Sequence, residues 1–280
     1  QLIRRYANNY RVDVVGLTAG SYSLKVVPVN GSEISDSATI IGNINVVAHE
    51  RAGFGFVNGS SSGAYNDDGT LKSDAVVIYV ANSNKDTVTY NGYVGIQNIL
   101  RAMKGQKYIK NPVCIRVIGN ILDPANMPNG DLNLDAVKNL TVEGIGNDAT
   151  MNGFGIVIKN SSNIEIRNLG FMNCNSTEGD DCGIQQANDH VWVHNCDFFY
   201  GDAGSDADQV KGDGALDTKK STYVTHSYNH FFDCGKCNLQ GMKSESTSNY
   251  ITYHHNWYDH SDSRHPRIRT CTVHIYNNYF

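Results

Sequence analysis

No apolar run in the 280 residues approaches the roughly 18 that a helix needs to cross a bilayer, which excludes a helical membrane span. Charged residues are only 18% of the chain, but hydrophobic residues reach 40%, and that balance excludes a disordered polymer. Proline is scarce at five residues, against 32 Asn, 27 Gly and 16 Tyr. Asparagine tolerates turns and can hydrogen-bond in ladders, so this is a composition of strands and turns. There is no initiator methionine and no signal peptide. The opening "QLIRRYANNY" reads as the middle of a longer polypeptide, and "HIYNNYF" ends on an uncapped strand pattern. A segment of a longer protein is therefore expected, and the missing signal leaves the compartment open. Cysteine is present in an odd number, seven, with a CxxC at Cys234 and Cys237. A second CxxC and a thioredoxin-like pattern are both lacking, so packed or disulfide-linked structural cysteines are expected rather than a redox or zinc centre.

Three stretches near the start alternate as strands do: "YRVDVVGL", "GSYSLKVVPV" and "NINVVAH", the first two joined by the turn "LTAGSY". They resemble the last strands of a fibronectin type III module, and a partial β-sandwich is expected over 1–47. Residues 48–90 read as a Gly/Ser/Asn-rich connection holding one strand, "AVVIYVA". In "YVGIQNILRAMKG" (93–105), Val94, Ile96, Ile99, Leu100 and Met103 fall near a 3.6-residue period, which predicts a short amphipathic helix.

From there the sequence repeats. "NLTVEGI", "NIEIRNLGF", "HVWVHNCDF", "YVTHSYNHF", "YITYHHNWY" and "TVHIYNNYF" align without gaps in their strand cores. Val191, Val224, Ile251 and Val273 share one column; Phe198, Phe231, Tyr258 and Phe280 a second; Asn229, Asn256 and Asn278 a third. Counted from Ile164, the first column recurs after 27, 33, 27 and 22 residues. A minimum near 22 with longer insertions means one unit per coil, with loops bulging outward. The expected fold is all-β: a right-handed parallel β-helix over 91–280, capped by the 93–105 helix. A leucine-rich solenoid is disfavoured by the aromatic and β-branched columns and by the lack of LxxLxL.

Stacking at about 4.8 Å per coil turns sequence offset into spatial neighbourhood. Asp181 lies ten residues before Val191, while Asp213 and Asp217 lie eleven and seven before Val224. Lys236 lies twelve after Val224 and Arg264 thirteen after Ile251. Three carboxylates thus gather beside Lys236, Arg264 and Arg269, and such a cluster suits a hard cation, most often Ca²⁺. The cationic string "SRHPRIR" in a chain of net charge −5 suits a planar anion such as a carboxylate or phosphate.

"DGALDTKKSTYVTHSYNHFFDCGKCNLQG" followed by "ITYHHNWYDHSDSRHPRIRTCTVHIYNNYF" resembles the pectate lyases of polysaccharide lyase family 1, and the resemblance begins near "IRVIGNI". It implies Ca²⁺ on Asp181, Asp213 and Asp217, substrate carboxylates held by Lys236 and Arg269, and Arg264 as the base. It also implies a polygalacturonate or pectin substrate, a monomer, and a secreted or cell-envelope location, with no nucleic acid and no membrane span involved. The family often has WIDH where this chain has "WVHN" (192–195), so His194 replaces an aspartate. That aspartate is not among the calcium ligands, and altered packing or pH response is expected.

The implied reaction is β-elimination. The C5 hydrogen of galacturonate is a weak acid because its loss places a second negative charge beside the carboxylate, and cations on that carboxylate relieve the problem. A guanidinium seldom gives up its proton. Lys236 is the easier base on intrinsic basicity, and Arg264 is assigned by the resemblance alone. Three alternatives stand beside this reading. A β-helix hydrolase would use paired aspartates but leave the Lys/Arg set without a role. A pectin lyase would not need three calcium-type aspartates. A non-catalytic polysaccharide-binding β-helix would not need both motif strings. His254 and His255, adjacent on a strand, should face opposite ways and share no metal, and Trp192 and Trp257 are expected in the core.

Overall fold

Val191, Val224, Ile251 and Val273 lie opposite one another on successive parallel strands, as one repeat column requires. A computed structural model of the chain describes residues 2–6, 8–35, 37–199, 214–242, 245 and 249–280. The chain divides into two compact units: residues 1–51 with 65–71, and residues 52–64 with 72–280.

The second unit is a parallel β-helix in which each coil feeds three ladders. Ladder one stacks Asp131–Asp135, Gly155–Lys159, Cys182–Gln185, Leu216–Lys219, Leu239–Gln240 and Arg267–Ile268. Ladder two runs from Val76–Ala81 and Val113–Ile121 through Lys138–Asn152, Ser162–Arg167, Asp189–His194, Thr222–Ser227 and Tyr250–His254 to Thr272–Tyr276. Ladder three continues from the end of Lys138–Asn152 through Gly170–Met172, Asp197–Phe199 and His230–Phe232 to Trp257–Asp259. The strand Val76–Ala81, read from sequence as part of a connection, pairs in parallel with Val113–Ile121 and so belongs to the β-helix.

Between ladders two and three each coil bends at one residue with positive φ: Asn168, Asn195, Tyr228, His255 and Asn277. Asparagine is among the few side chains that tolerate this left-handed conformation, which explains part of its abundance. The residue after the bend points inward. There Asn229 Nδ2 donates to Asn256 Oδ1 at 3.1 Å, and Asn256 Nδ2 donates to Asn278 Oδ1 at 2.9 Å. Next to this amide ladder Phe198, Phe231, Tyr258 and Phe280 stack with centroids 4.9–5.2 Å apart, matching the rise of one coil.

The predicted helix spans Ile96–Met103, and its apolar face joins the core. Gln97 caps the edge of ladder one, donating to the Asn133 carbonyl (3.2 Å) and accepting from its N–H (2.9 Å). Val94 lies outside the helix on a short exposed strand, because Gly95 at φ +83° breaks the chain direction there. Residues 52–64 strap across the outside of ladder two. Gly55 and Ala64 donate their N–H groups to the hydroxyls of Thr225 and Thr141, both at 2.9 Å. A Cβ at Gly63 would fall 2.2 Å from Thr141 Oγ1, so the strap can lie this close only on glycine.

In the first unit, Leu2–Tyr6 pairs with Asn9–Asp13 and Gly20–Val26 with Thr39–Val46, each as a separate two-stranded antiparallel ribbon. The fibronectin-like module expected over 1–47 is not confirmed by these ribbons. The alternation that suggested it is equally satisfied by isolated ribbons.

Candidate active site

The site lies along ladder one and the turns that enter it from ladder three. Asp181 immediately precedes Cys182–Gln185, and Asp217 is the second residue of Leu216–Lys219, opposite Gly183. Alternation along a strand puts Asp217 and Lys219 on the outer face, while Thr218 between them points inward to His226. Asp217 Oδ1 accepts the Leu239 N–H at 2.7 Å, and Oδ2 lies 3.5 Å from Lys219 Nζ and 3.9 Å from Arg264 Nη1. Asp213 lies outside the described residues.

Asp181 is fully buried, and neither carboxylate oxygen has a hydrogen-bond partner. Burial, followed by the nearby carboxylates of Asp180 and Asp131, pushes its carboxyl well above the usual range. Two acidic neighbours absent from the sequence reading thus emerge. Asp131 stands two coils back, its carboxyl pushed up to about 6 chiefly by burial. Asp180 accepts from Lys219 Nζ at 3.2 Å. Burial alone would lower the Lys219 ammonium, but Asp180 and Asp217 together hold it above the ordinary lysine range. Two signals could have found Lys219 and Asp131. Lys219 follows Asp217 at the same-face spacing of two, and Asp131 sits nine residues before the column residue Leu140, close to the Asp181 offset.

Lys236 forms a parallel bridge with Ser263, one residue short of the Arg264 neighbour expected from sequence. Beyond it, Leu239 pairs with Arg267. Three steps on one coil therefore match four on the next, and the extra residue is a bulge. Arg264, at φ +64°, and the cis His265–Pro266 bond lie within it. One inserted residue reverses the in/out alternation, so Arg264 can share a side with Arg267 and Arg269 despite the odd spacings. Lys236, Arg264 and Arg267 line one open depression. Arg267 and Arg269 are both exposed.

A buried charge network lies under the strap. Glu165 accepts from Arg167 Nη1 (3.2 Å), Thr141 Oγ1 (2.9 Å) and His194 Nε2 (3.1 Å), and Glu143 accepts from Arg116 and Arg167. His194 is fully buried and stacks on Trp192, and burial lowers its pKa. Trp192 is in the interior as expected, but Trp257 is 44% exposed and stacks on His230. The Nδ1 atoms of His254 and His255 lie 2.9 Å apart, because the left-handed turn at His255 ends the strand alternation. All seven cysteines are free thiols. Cys237 is held down to about 6: burial opposes ionisation, but Cys234 and His265 stabilise the thiolate.

Three stacked ladders of parallel strands define the parallel β-helix class. The family model described as "Pectate lyase" matches residues 128–280, and the chain belongs to the pectate lyase family. It is 33% identical over 184 residues to a pectate trisaccharide-lyase of Bacillus licheniformis, covering 65% of this chain and 52% of that protein. It is 36% identical over 151 residues to probable pectate lyase A of Aspergillus fumigatus, covering 51% and 45%. A pectate lyase of Bacillus sp. N165, solved in complex with trigalacturonate, shares the fold with TM-score 0.64 and 24% identity over 82% of this chain and 68% of that one. The chain spans about half the length of the curated relatives it matches. Among the described residues, no helix is long and apolar enough to cross a membrane.

Proposed function

We propose that this chain cleaves α-1,4-linked polygalacturonate by calcium-dependent β-elimination, leaving a 4,5-unsaturated sugar at the new end. The observation that carries the reading is the Arg264 guanidinium 3.9 Å from the Asp217 carboxylate, in an open depression shared with Lys236. The orphaned Asp181 carboxylate fits a hard, oxygen-seeking cation, since a buried carboxylate otherwise lacks any compensating charge. Asp181, Asp213 and Asp217 would hold that ion, which when bound supplies positive charge beside the uronate carboxylate.

The other roles belong to the chain's own side chains. Lys236 and Arg269 hold substrate carboxylates, adding positive charge where the second negative charge develops. Arg264, in its neutral form, accepts the C5 proton. The electron pair left behind forms the C4–C5 double bond and expels O4 of the same sugar, which departs as the anomeric oxygen of the adjoining sugar and takes up a proton from solvent. Water is not consumed. Asp217 keeps the Arg264 side chain pointed into the depression. As the same family reading implies, the protein is secreted or held in the cell envelope.

The test is incubation of the full chain with polygalacturonate, in Ca²⁺ and in chelator, followed by ultraviolet absorbance of the unsaturated product. New reducing ends without that absorbance would replace elimination by hydrolysis, and retention of the polymer in a gel without any product would make the chain a binder.

A further inference from the structure

Asp131 and Asp181 occupy the same row of ladder one, two coils apart, with Gly155 between them. Asp131 pairs directly with Gly155. The pairing of Ile156 with Cys182, and the Ile156 N–H donated to the Asp181 carbonyl at 2.9 Å, set Gly155 opposite Asp181. A Cβ at Gly155 would fall 2.2 Å from the Asp180 carbonyl oxygen and 2.8 Å from that of Asp181. Only glycine fits, and the row between the two acids carries no side chain. Two coils set the two backbones about 9.6 Å apart, and the Asp131 carboxylate is near enough to Asp181 for its charge to raise the Asp181 carboxyl.

Both acids are shut away from solvent, Asp131 at 2% and Asp181 at 0% exposure. Asp131 Oδ1 and both Asp181 oxygens are buried without a hydrogen-bond donor. Asp131 is held in part by the Ser176 hydroxyl, the charge of Lys159 and the Gly155 backbone, and Lys219 is turned to Asp180 and Asp217, whereas no cation offsets Asp181. A buried carboxylate left in this state is among the costliest arrangements in a protein interior. The Cys174 thiol donates to the Asp180 carbonyl, and its soft sulfur does not suit a hard cation.

We propose that Asp131 and Asp181 bind a divalent hard cation, Ca²⁺, in a closed site across Gly155, distinct from the outer ion that Asp217 would share with substrate. Water and nearby backbone oxygens complete its shell. The ion ties the first coils of ladder one to the coil that carries the catalytic face. This rests on the proposed function only in that both readings use Asp181.

Calorimetric titration of the calcium-stripped full chain with CaCl₂, paired with thermal melts, tests it without an activity assay. The wild type should bind two ions. Asp131→Asn, nearly isosteric, should bind one and lose most of the calcium-induced rise in melting temperature, whereas Asp217→Asn should keep that rise. An Asp131→Asn protein with wild-type stoichiometry and melting rise overturns the inner site and leaves the proposed function standing. One ion in the wild type, lost on Asp131→Asn but kept on Asp217→Asn, upholds the inner site and removes calcium from the lyase reading. No calcium bound by the wild type overturns both. Should Asp131→Asn fold poorly, the wild-type stoichiometry decides with Asp217→Asn: two ions falling to one supports the inner site, and one falling to none overturns it.

Discussion

Arg264 Nη1 lies 3.9 Å from Asp217 Oδ2, a contact that reaches across the intervening Leu239–Gln240 coil of ladder one. Lys236 and Arg264 line the same depression, and either could receive the C5 proton. Arg264→Lys is expected to lower turnover by about 100-fold or more, the usual contribution of a positioned base, while calcium and substrate affinities stay close to wild type. Steady-state rates with calorimetric binding check this. Near-normal turnover in Arg264→Lys would transfer the role of base to Lys236.

Calcium removal is the second expectation. Chelator should abolish product formation, and added Ca²⁺ should restore it. Asp217→Asn should raise the calcium concentration needed for half-maximal rate, because one oxygen ligand loses its charge. Full activity in chelator would remove the metal from the reaction.

The repeat columns were legible because a β-helix converts sequence offset into contact. Val191, Val224 and Ile251 could be aligned by type alone, and the Asn229–Asn256–Asn278 ladder followed from that alignment. Lys236 and Arg264 were placed to within one residue. The bulge around Arg264 was not legible, since an inserted residue leaves no mark on hydrophobic periodicity. The first unit was less legible for the opposite reason. Alternation over Asn9–Asp13 and Gly20–Val26 announces strands without saying whether two sheets pack. Asp131 was passed over because its coil begins the stack, where the motif strings that drew attention to Asp181 are absent.

Acid should weaken the fold through its buried histidines. Burial lowers the pKa of His194, and that of His226 to about 3, from 6.5. Unfolding lets both bind protons at a pH where the folded chain does not. Their contribution is therefore complete above 6.5 and falls as pH drops toward the folded values, by about 1.4 kcal/mol per pH unit for each proton. For Glu165, burial acts against ionisation but Arg167 and His194 prevail, and the pKa is lowered from 4.5. Its contribution is present above 4.5 and is lost in more acid solution. Asp131, at about 6, and Asp181 are raised chiefly by burial and bind protons in the folded chain over the same range with the opposite sign, so the histidine contribution is read by difference. Below pH 6.5 the slope of denaturant midpoint against pH should be lower in His226→Phe than in wild type by close to one proton, and identical slopes in the two proteins would contradict the burial argument.

The amide ladder gives the last expectation. Asn256 Nδ2 donates to Asn278 Oδ1 at 2.9 Å and to the His226 carbonyl at 3.0 Å, while its Oδ1 accepts from the Asn229 side chain and backbone at 3.1 Å. Asn256 and Asn229 are both 1% exposed, so groups orphaned by truncation find no water. Asn256→Ala should destabilise by about 3 kcal/mol, since each buried polar group left without a partner costs about 1–3 kcal/mol. Asn256→Leu should do no better, because it fills volume without meeting the Asn229 donors. Asn278→Ala should cost less, as its side of the ladder is only partly buried. Urea unfolding of the three variants measures the order. If Asn256→Leu proved as stable as wild type, the ladder would be a packing column, and its hydrogen bonds would contribute nothing to the stack.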